Sequence, residues 1–174
     1  MTSFGKAFCY AILAAWTAVC VVPIYWLAMA SLKGVAIIDK PPTYLPFVDF
    51  APTLDAWRFI LFEGDARARA GNVIANVFAR KNPAAPAAEI EVEKRRLMDA
   101  PLVIAVVSFT RPHPKVPAWE QELSAGASAM NIVTAATALG YGANWLSGWF
   151  AYDRDVLDGL GLKQDEKLAG FIHI

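Results

Sequence analysis

Leu102-Val103-Ile104-Ala105-Val106-Val107-Ser108-Phe109 is an eight-residue run without a charge, held between Pro101 and a proline-rich loop over 111–117. Its length and its valine and isoleucine content suit a buried strand. Such a strand needs cover, and the flanking sequence supplies it. Upstream, Trp57-Arg58-Phe59-Ile60-Leu61-Phe62-Glu63 reads as a strand closed by Gly64-Asp65. A helix over 66–81 follows, with Val73, Ile74, Val77 and Phe78 on one face, and Asn82-Pro83 ends it. A second, charged helix is expected over 87–99. Downstream, residues 119–139 carry apolar side chains at helical spacing and stop at Gly140-Tyr141-Gly142, where a C-terminal glycine belongs. A short strand is expected over 144–148. Asp153 is placed to cap a helix through Leu160, Gly161 ends it, and residues 168–174 close the chain as an apolar strand. Strand, helix, helix, strand, long helix, strand, helix, strand implies an α+β layer fold with helices packed on a sheet.

The N-terminus is of another kind. Residues 7–32 contain no charged residue, and at 1.5 Å per residue such a helix extends roughly 39 Å, more than the roughly 30 Å of a hydrocarbon core. Pro23 is tolerated in a membrane helix, and Trp16, Tyr25 and Trp26 include aromatics suited to an interface. A retained transmembrane segment over 1–33 is the expected reading. Two others stand beside it: a secretory signal, since Ala28-Met29-Ala30 resembles a cleavage site, and a buried soluble helix. Residues 34–56 then read as an ordered proline-rich linker. Pro41, Pro42, Pro46 and Pro52 alternate there with Tyr44, Phe47 and Phe50, aromatics expected to pack against a partner outside this chain.

Composition narrows the class of function. With 16 basic and 16 acidic residues the formal charge is zero, which argues against nucleic acid as a partner. Over half the 174 residues are apolar, and the excess gathers at the N-terminus. Cys9 and Cys20 both lie in the apolar run at a spacing that fits neither zinc nor a disulfide framework. His113 and His173 have no third ligand near them in sequence, so no metal site is expected.

Two resemblances divide the chain. Val22-Pro23-Ile24-Tyr25-Trp26-Leu27, Ser31-Leu32-Lys33 and Tyr44-Leu45-Pro46-Phe47-Val48-Asp49-Phe50 resemble the first span and following segment of a sugar-type ABC transporter permease. The later permease helices and the loop that docks the ATPase have no counterpart, so transport is not implied. From Trp57 onward the chain is similar to the small FMN-dependent NAD(P)H nitroreductases. The motifs are Trp57-Arg58-Phe59 with Glu63-Gly64, Ala100-Pro101-Leu102-Val103-Ile104, and His113-Pro114-Lys115-Val116-Pro117-Ala118-Trp119-Glu120-Gln121. They continue through Ser124-Ala125-Gly126-Ala127, Trp145-Leu146-Ser147-Gly148 and Ala169-Gly170-Phe171-Ile172-His173-Ile174. This resemblance implies a truncated nitroreductase-like domain over 57–174, a layer of helices on a mixed sheet, preceded by one transmembrane helix.

It also implies a chemistry. Members carry FMN at a homodimer interface and pass hydride from NAD(P)H to nitroaromatic or quinone-like acceptors, so the flavin reacts while the protein positions. By the motif match, Trp145, Leu146 and Ser147 fall on the flavin-contacting strand, and Ala135, Ala136, Thr137, Ala138, Leu139 and Gly140 on the nicotinamide segment. No catalytic acid or base is required. Read without the resemblance, Gly140 is a helix cap, Trp145 fits core better than stacking, and Ser147 is a hydroxyl donor.

The departures predict impairment. The family grips the FMN phosphate with an Arg-Arg-Ser-type element in an opening helix, where permease-like sequence stands here, and neither Arg58 nor Lys115 is an obvious replacement. Leu146 occupies a position where the family has an arginine against the flavin. Each lost charge-assisted bond weakens binding by about 1–3 kcal/mol. The family's C-terminal extension has no counterpart either. A non-catalytic, membrane-anchored fusion is therefore the rival expectation. The expected location is a bacterial inner or plasma membrane, and Lys33, Lys40, Arg58, Arg67 and Arg69 against Lys6 lean toward a cytoplasmic reductase part. A permease-type span would place it outside.

Overall fold

The structure is a computed structural model that describes residues 3–33, 44–49 and 58–174. The chain divides into two compact units, Met1–Trp57 and Arg58–Ile174.

The first unit holds helix α1 (Ser3–Ser31), with Pro23 in its interior. Within it, the 27 residues Gly5–Ser31 are long and apolar enough to cross a membrane. The side chains of 6–28 are all exposed, so α1 has no core face in this chain. Of the linker aromatics and prolines, Tyr44, Pro46 and Phe47 are described, while Pro41, Pro42, Phe50 and Pro52 lie outside the described residues. Tyr44 packs on α1 itself: its ring centroid is 5.0 Å from that of Trp26, and its carbonyl accepts from the Tyr25 hydroxyl at 2.8 Å. The Asp49 carboxylate closes the turn by accepting the Tyr44 and Leu45 amides at 2.8 and 2.9 Å. Those backbone donors hold its pKa below the ordinary value.

The second unit is a four-stranded sheet covered by helices. Strand β1 is Phe59–Glu63, β2 Leu102–Phe109, β3 Asn144–Leu146 and β4 Glu166–His173. Their order across the sheet is β1-β2-β4-β3. All three pairings are antiparallel, where a mixed sheet was expected, so every described neighbour runs against the next. Helices α2 (Asp65–Lys81) and α3 (Ala87–Lys94) join β1 to β2, α4 (Ala118–Ala138) joins β2 to β3, and α5 (Arg154–Gly159) precedes β4. The Asp153 carboxylate caps α5 by accepting from the Asp155 and Val156 amides.

Alternation along β2 sorts its side chains between two faces. Val103, Ala105 and Val107 join Phe62, Ile74, Val77, Leu97, Phe150 and Phe171 in the larger core, under α2 and α5. Val106 faces the other way, with Ile172 and Ala129, under α4. The register of β2 against β4 shifts between Val106 and Val107, which leaves Ala169 unpaired beside Gly170 as a bulge. Helix α3 stops at Lys94, short of Asp99: residues 95–98 continue as turns that carry Leu97 into the core with no exposed surface. A 3-10 turn at Trp149–Ala151, absent from the sequence reading, seats Phe150 in that same core.

Candidate functional site

The two segments singled out from sequence lie beside one another, because α4 leads directly into β3 and both pack on β4. Helix α4 ends in a complete glycine cap. Gly140 has φ +88°, its amide bonds the Thr137 carbonyl, and the Tyr141 amide reaches back to Ala136. That six-to-one and five-to-two pair is the Schellman arrangement, and it accounts for Gly140 as a stop signal. Ala136 is buried against the sheet, whereas Ala135, Thr137, Ala138 and Leu139 face outward, and Leu139 is 76% exposed. The Thr137 hydroxyl donates to the Val133 carbonyl one turn earlier.

Strand β3 is an edge strand whose Asn144, Trp145 and Leu146 pair with His173, Ile172 and Phe171. Trp145 is held by its surroundings. Its indole N–H donates to the Ala169 carbonyl at 3.2 Å, and its ring lies so close over Gly170 that a Cβ there would come within 2.2 Å of Nε1. A Cβ on Gly126 of α4 would stand 3.6 Å from the same ring. The indole therefore sits clamped between a bulge and a helix, with its one polar atom engaged. What β3 offers outward is the exposed part of Trp145, the Leu146 side chain and the Ser147 hydroxyl, which makes no hydrogen bond to the described residues. Sequence reasoning named Trp145 but missed Ala169, Gly170 and Gly126, which seat it. The only local signal was a glycine inside an apolar strand, which marks a bulge or a close approach.

Exposed apolar side chains surround these segments. Trp119, Leu123 and Met130 stand on the outer side of α4, with Tyr141 and Tyr152 nearby in sequence. Trp119, Leu123 and Met130 recur at helical spacing and so share one side of α4. Arg58 and His113 are already engaged. Arg58 Nε lies 3.2 Å from the buried Glu166 carboxylate, close enough for an ion pair although unaligned as a hydrogen bond, and its terminal nitrogen donates to the Gly161 carbonyl. His113 takes a structural part, with Nδ1 accepting the amides of Lys115 and Val116. His173 is buried in β4, and burial lowers its pKa against the opposing pull of Asp99. The outward face of β3 and the α4 end thus carries no acid or base; it can bind and orient a flat, apolar group, which must bring its own reactivity.

Comparison with known proteins places this geometry. Residues 50–174 match the Nitroreductase family. Over 124 residues the chain is 33% identical to the Escherichia coli K12 protein named "Putative NAD(P)H nitroreductase YdjA", covering 70% of this chain and 66% of that protein. A Haemophilus influenzae protein named as an NAD(P)H nitroreductase in the same terms is 34% identical over 76 residues, 43% of this chain and 41% of its own. The crystal structure of a nitroreductase-like family protein from Bacillus cereus shares the fold, with a TM-score of 0.58 and 23% identity over 67% of this chain and 60% of that one. The chain spans just under two thirds of the length of the first curated relatives.

Proposed function

Since the chain belongs to the nitroreductase family, we propose that it is an FMN-dependent oxidoreductase that takes hydride from NAD(P)H and reduces nitroaromatic or quinone-like acceptors, with weakened hold on its flavin. The observation that carries this reading is the family match over residues 50–174, which takes in every described strand. The local geometry supports it in part. Trp145, Leu146 and Ser147, with Ala135, Ala136, Thr137, Ala138, Leu139 and Gly140, suit the ring end of FMN, since most are exposed and apolar and none titrates. Ala136 contributes through the sheet packing of α4 rather than by contact. Bound flavin supplies the hydride chemistry, and these residues bind and orient it.

The phosphate end fits less well. Arg58 is committed to Glu166 and Gly161, and Leu146 offers no donor where the family has arginine. The exposed stripe on α4 is proposed as the surface of a homodimer, which would cover Trp119, Leu123 and Met130. Helix α1 is proposed as a single bilayer span over 1–33, with 34–56 as linker and 57–174 as the reductase part. That part is placed on the cytoplasmic side, where its electron donor is available. A reporter active only outside the membrane, fused after Ile174, must then stay silent.

Titration of the full chain in detergent with FMN tests the central reading. Saturable binding in the tens of micromolar is expected, with NAD(P)H oxidation in the presence of a nitroaromatic acceptor. Leu146→Arg should tighten FMN binding about tenfold, the worth of one charge-assisted bond at ~1.4 kcal/mol. If neither wild type nor variant binds FMN saturably, the second reading takes over: a non-catalytic, membrane-anchored fusion of a permease-like span to a nitroreductase remnant. What favours that second reading is that the family match begins at residue 50, beyond α1.

A further inference from the structure

The charge-free run of 7–32 is longer than a hydrocarbon core, so the sequence leaves open where along α1 the hydrocarbon ends. Six contacts at the C-terminal end of α1 and within the turn 44–49 bear on this. Tyr25 donates to the Tyr44 carbonyl, and Trp26 packs on the Tyr44 ring. The Lys33 ammonium lies 4.9 Å from the Trp26 ring centroid. The Asp49 carboxylate accepts two backbone amides, and the Asp49 amide bonds the Leu45 carbonyl at 2.9 Å. The turn of 44–49, with its peptide groups and the Asp49 carboxylate, is thereby held at the level of Tyr25 and Trp26.

Hydrocarbon does not accommodate that turn. Irregular backbone facing lipid is excluded from the core, and an aspartate carboxylate there is strongly disfavoured. Tyr25 and Trp26 share the turn's depth, so they too lie outside the core. The lengths agree. Residues 7–24 make an 18-residue helix of roughly 27 Å, close to the roughly 30 Å of the hydrocarbon, and the remaining turns to Ser31 add about 10 Å, more than one headgroup layer. Tyr and Trp favour that layer. Tyr25 and Trp26, at 40% and 39% exposed, are partly covered by the turn, against 70% for Trp16 in the run. At the tip of the turn Phe47 and Val48 are 86% and 77% exposed, although Phe47 carries the strained φ of +64°. Two bare apolar side chains on a pinned turn suit partial burial among headgroups.

We infer that the last turns of α1 and the turn 44–49 form an interfacial collar that seats in the headgroup layer of a bilayer, so that hydrocarbon contact ends at Ile24. This rests on the reading of α1 as a membrane span. The collar fixes the depth of the span by its polar turn and its aromatics.

Thiol labelling of the full chain in phosphatidylcholine vesicles, opened so that both sides are reached, tests it. Cys9 and Cys20 are first replaced by alanine, and single cysteines are then introduced as Ala15→Cys and Ala28→Cys. Both positions are exposed in the chain, so lipid alone decides their reactivity toward a water-soluble maleimide. Ala28→Cys is expected to react at least tenfold faster than Ala15→Cys, and detergent should abolish the difference. If Ala28→Cys is as protected as Ala15→Cys, the collar is wrong and the span stands. If both react rapidly without detergent, the span reading itself fails and takes the collar with it.

Discussion

The two faces of the sheet are finished to different degrees. Helix α2 buries five of its 17 residues, Ala70, Gly71, Ile74, Ala75 and Val77, under a core that also draws on α5, the 3-10 turn and Leu97. Helix α4 is longer, at 21 residues, yet buries only Ala129 and Ala136. Ala129 lets it lie close to Val106 and Ile172, with Ile132 and Val133 partly buried beside them, but its larger side chains Trp119, Leu123 and Met130 are exposed. Near β1 that face is barer still, with Phe59 and Ile104 partly covered and Leu61 exposed. One face is closed by α2, α5 and the 3-10 turn; the other is apolar and, among the described residues, less completely covered. The two sides of one sheet thus differ in how completely the described residues cover them.

Substitutions that load the two faces unequally test this contrast. The heaviest effect is expected at Gly71, where a Cβ would stand 2.0 Å from the Lys94 carbonyl oxygen, a backbone atom that cannot swing aside. Gly71→Val should cost more than about 3 kcal/mol by forcing α2 and α3 apart, read as a lowered denaturation midpoint or loss of soluble protein. A melt like wild type would show that the closed face tolerates the change and erase the distinction. Next is a matched pair. Ile74→Ala removes a side chain with no exposed surface and should cost about 3 kcal/mol, while Met130→Ala on the open face should stay within about 0.5 kcal/mol in the monomer. Equal losses in urea titrations would mean that α4 is as well packed as α2.

The smallest effect is set by pH, and it acts through the closed face alone. Burial holds the His173 pKa below its ordinary 6.5, so the unfolded chain takes up the proton first. Stability should therefore be level above pH ~6.5 and decline as the pH falls from there toward the folded-state value. Glu93 adds a lower window. Burial pushes its carboxyl up, but hydrogen bonds from Arg96 and the Trp149 indole outweigh it and leave the pKa lowered. Its share is present above the ordinary 4.5 and is lost as the pH falls through the folded value. Thermal melts of His173→Asn should lose the upper decline and keep the lower one. An unchanged upper decline would move its cause elsewhere.

Much of the second unit was legible from periodicity. Strand β2 spans the run read from sequence, and α2 and α4 begin and end within one residue of expectation, since their ends are marked by Gly64, Asn82, Pro117 and Gly140. The shorter β1 begins at Phe59, after Arg58, whose side chain is tied to Gly161 and Glu166; Trp57 lies outside the described residues. Residues 95–99 read as helix because their charges continue the pattern. The Arg96 guanidinium instead reaches back to Glu93, which the Trp149 indole also grips from 56 residues away. Distance in sequence also hid the seat of Trp145. Its indole needs a missing Cβ at Gly170 and a nearby glycine at Gly126, and no local pattern joins the three. Tyr44 was expected to pack against a partner outside this chain; its ring instead meets Trp26 on α1, a contact 18 residues away that no local pattern marks.

Strand β1 lies at one end of the sheet and is paired, among the described residues, to β2 alone. Its sequence Phe59-Ile60-Leu61-Phe62 is uncharged and rich in β-formers, the composition that adds strands between chains when an edge is bare. Arg58 and Glu63 bracket those four residues as gatekeepers of opposite sign, but they are not equally free to serve. Arg58 is drawn inward to Glu166, leaving the exposed Glu63 as the charge that meets an approaching strand. Among the described residues, Glu63 is thus the main charge set against edge-to-edge pairing at β1, a route to association that does not require the core to unfold.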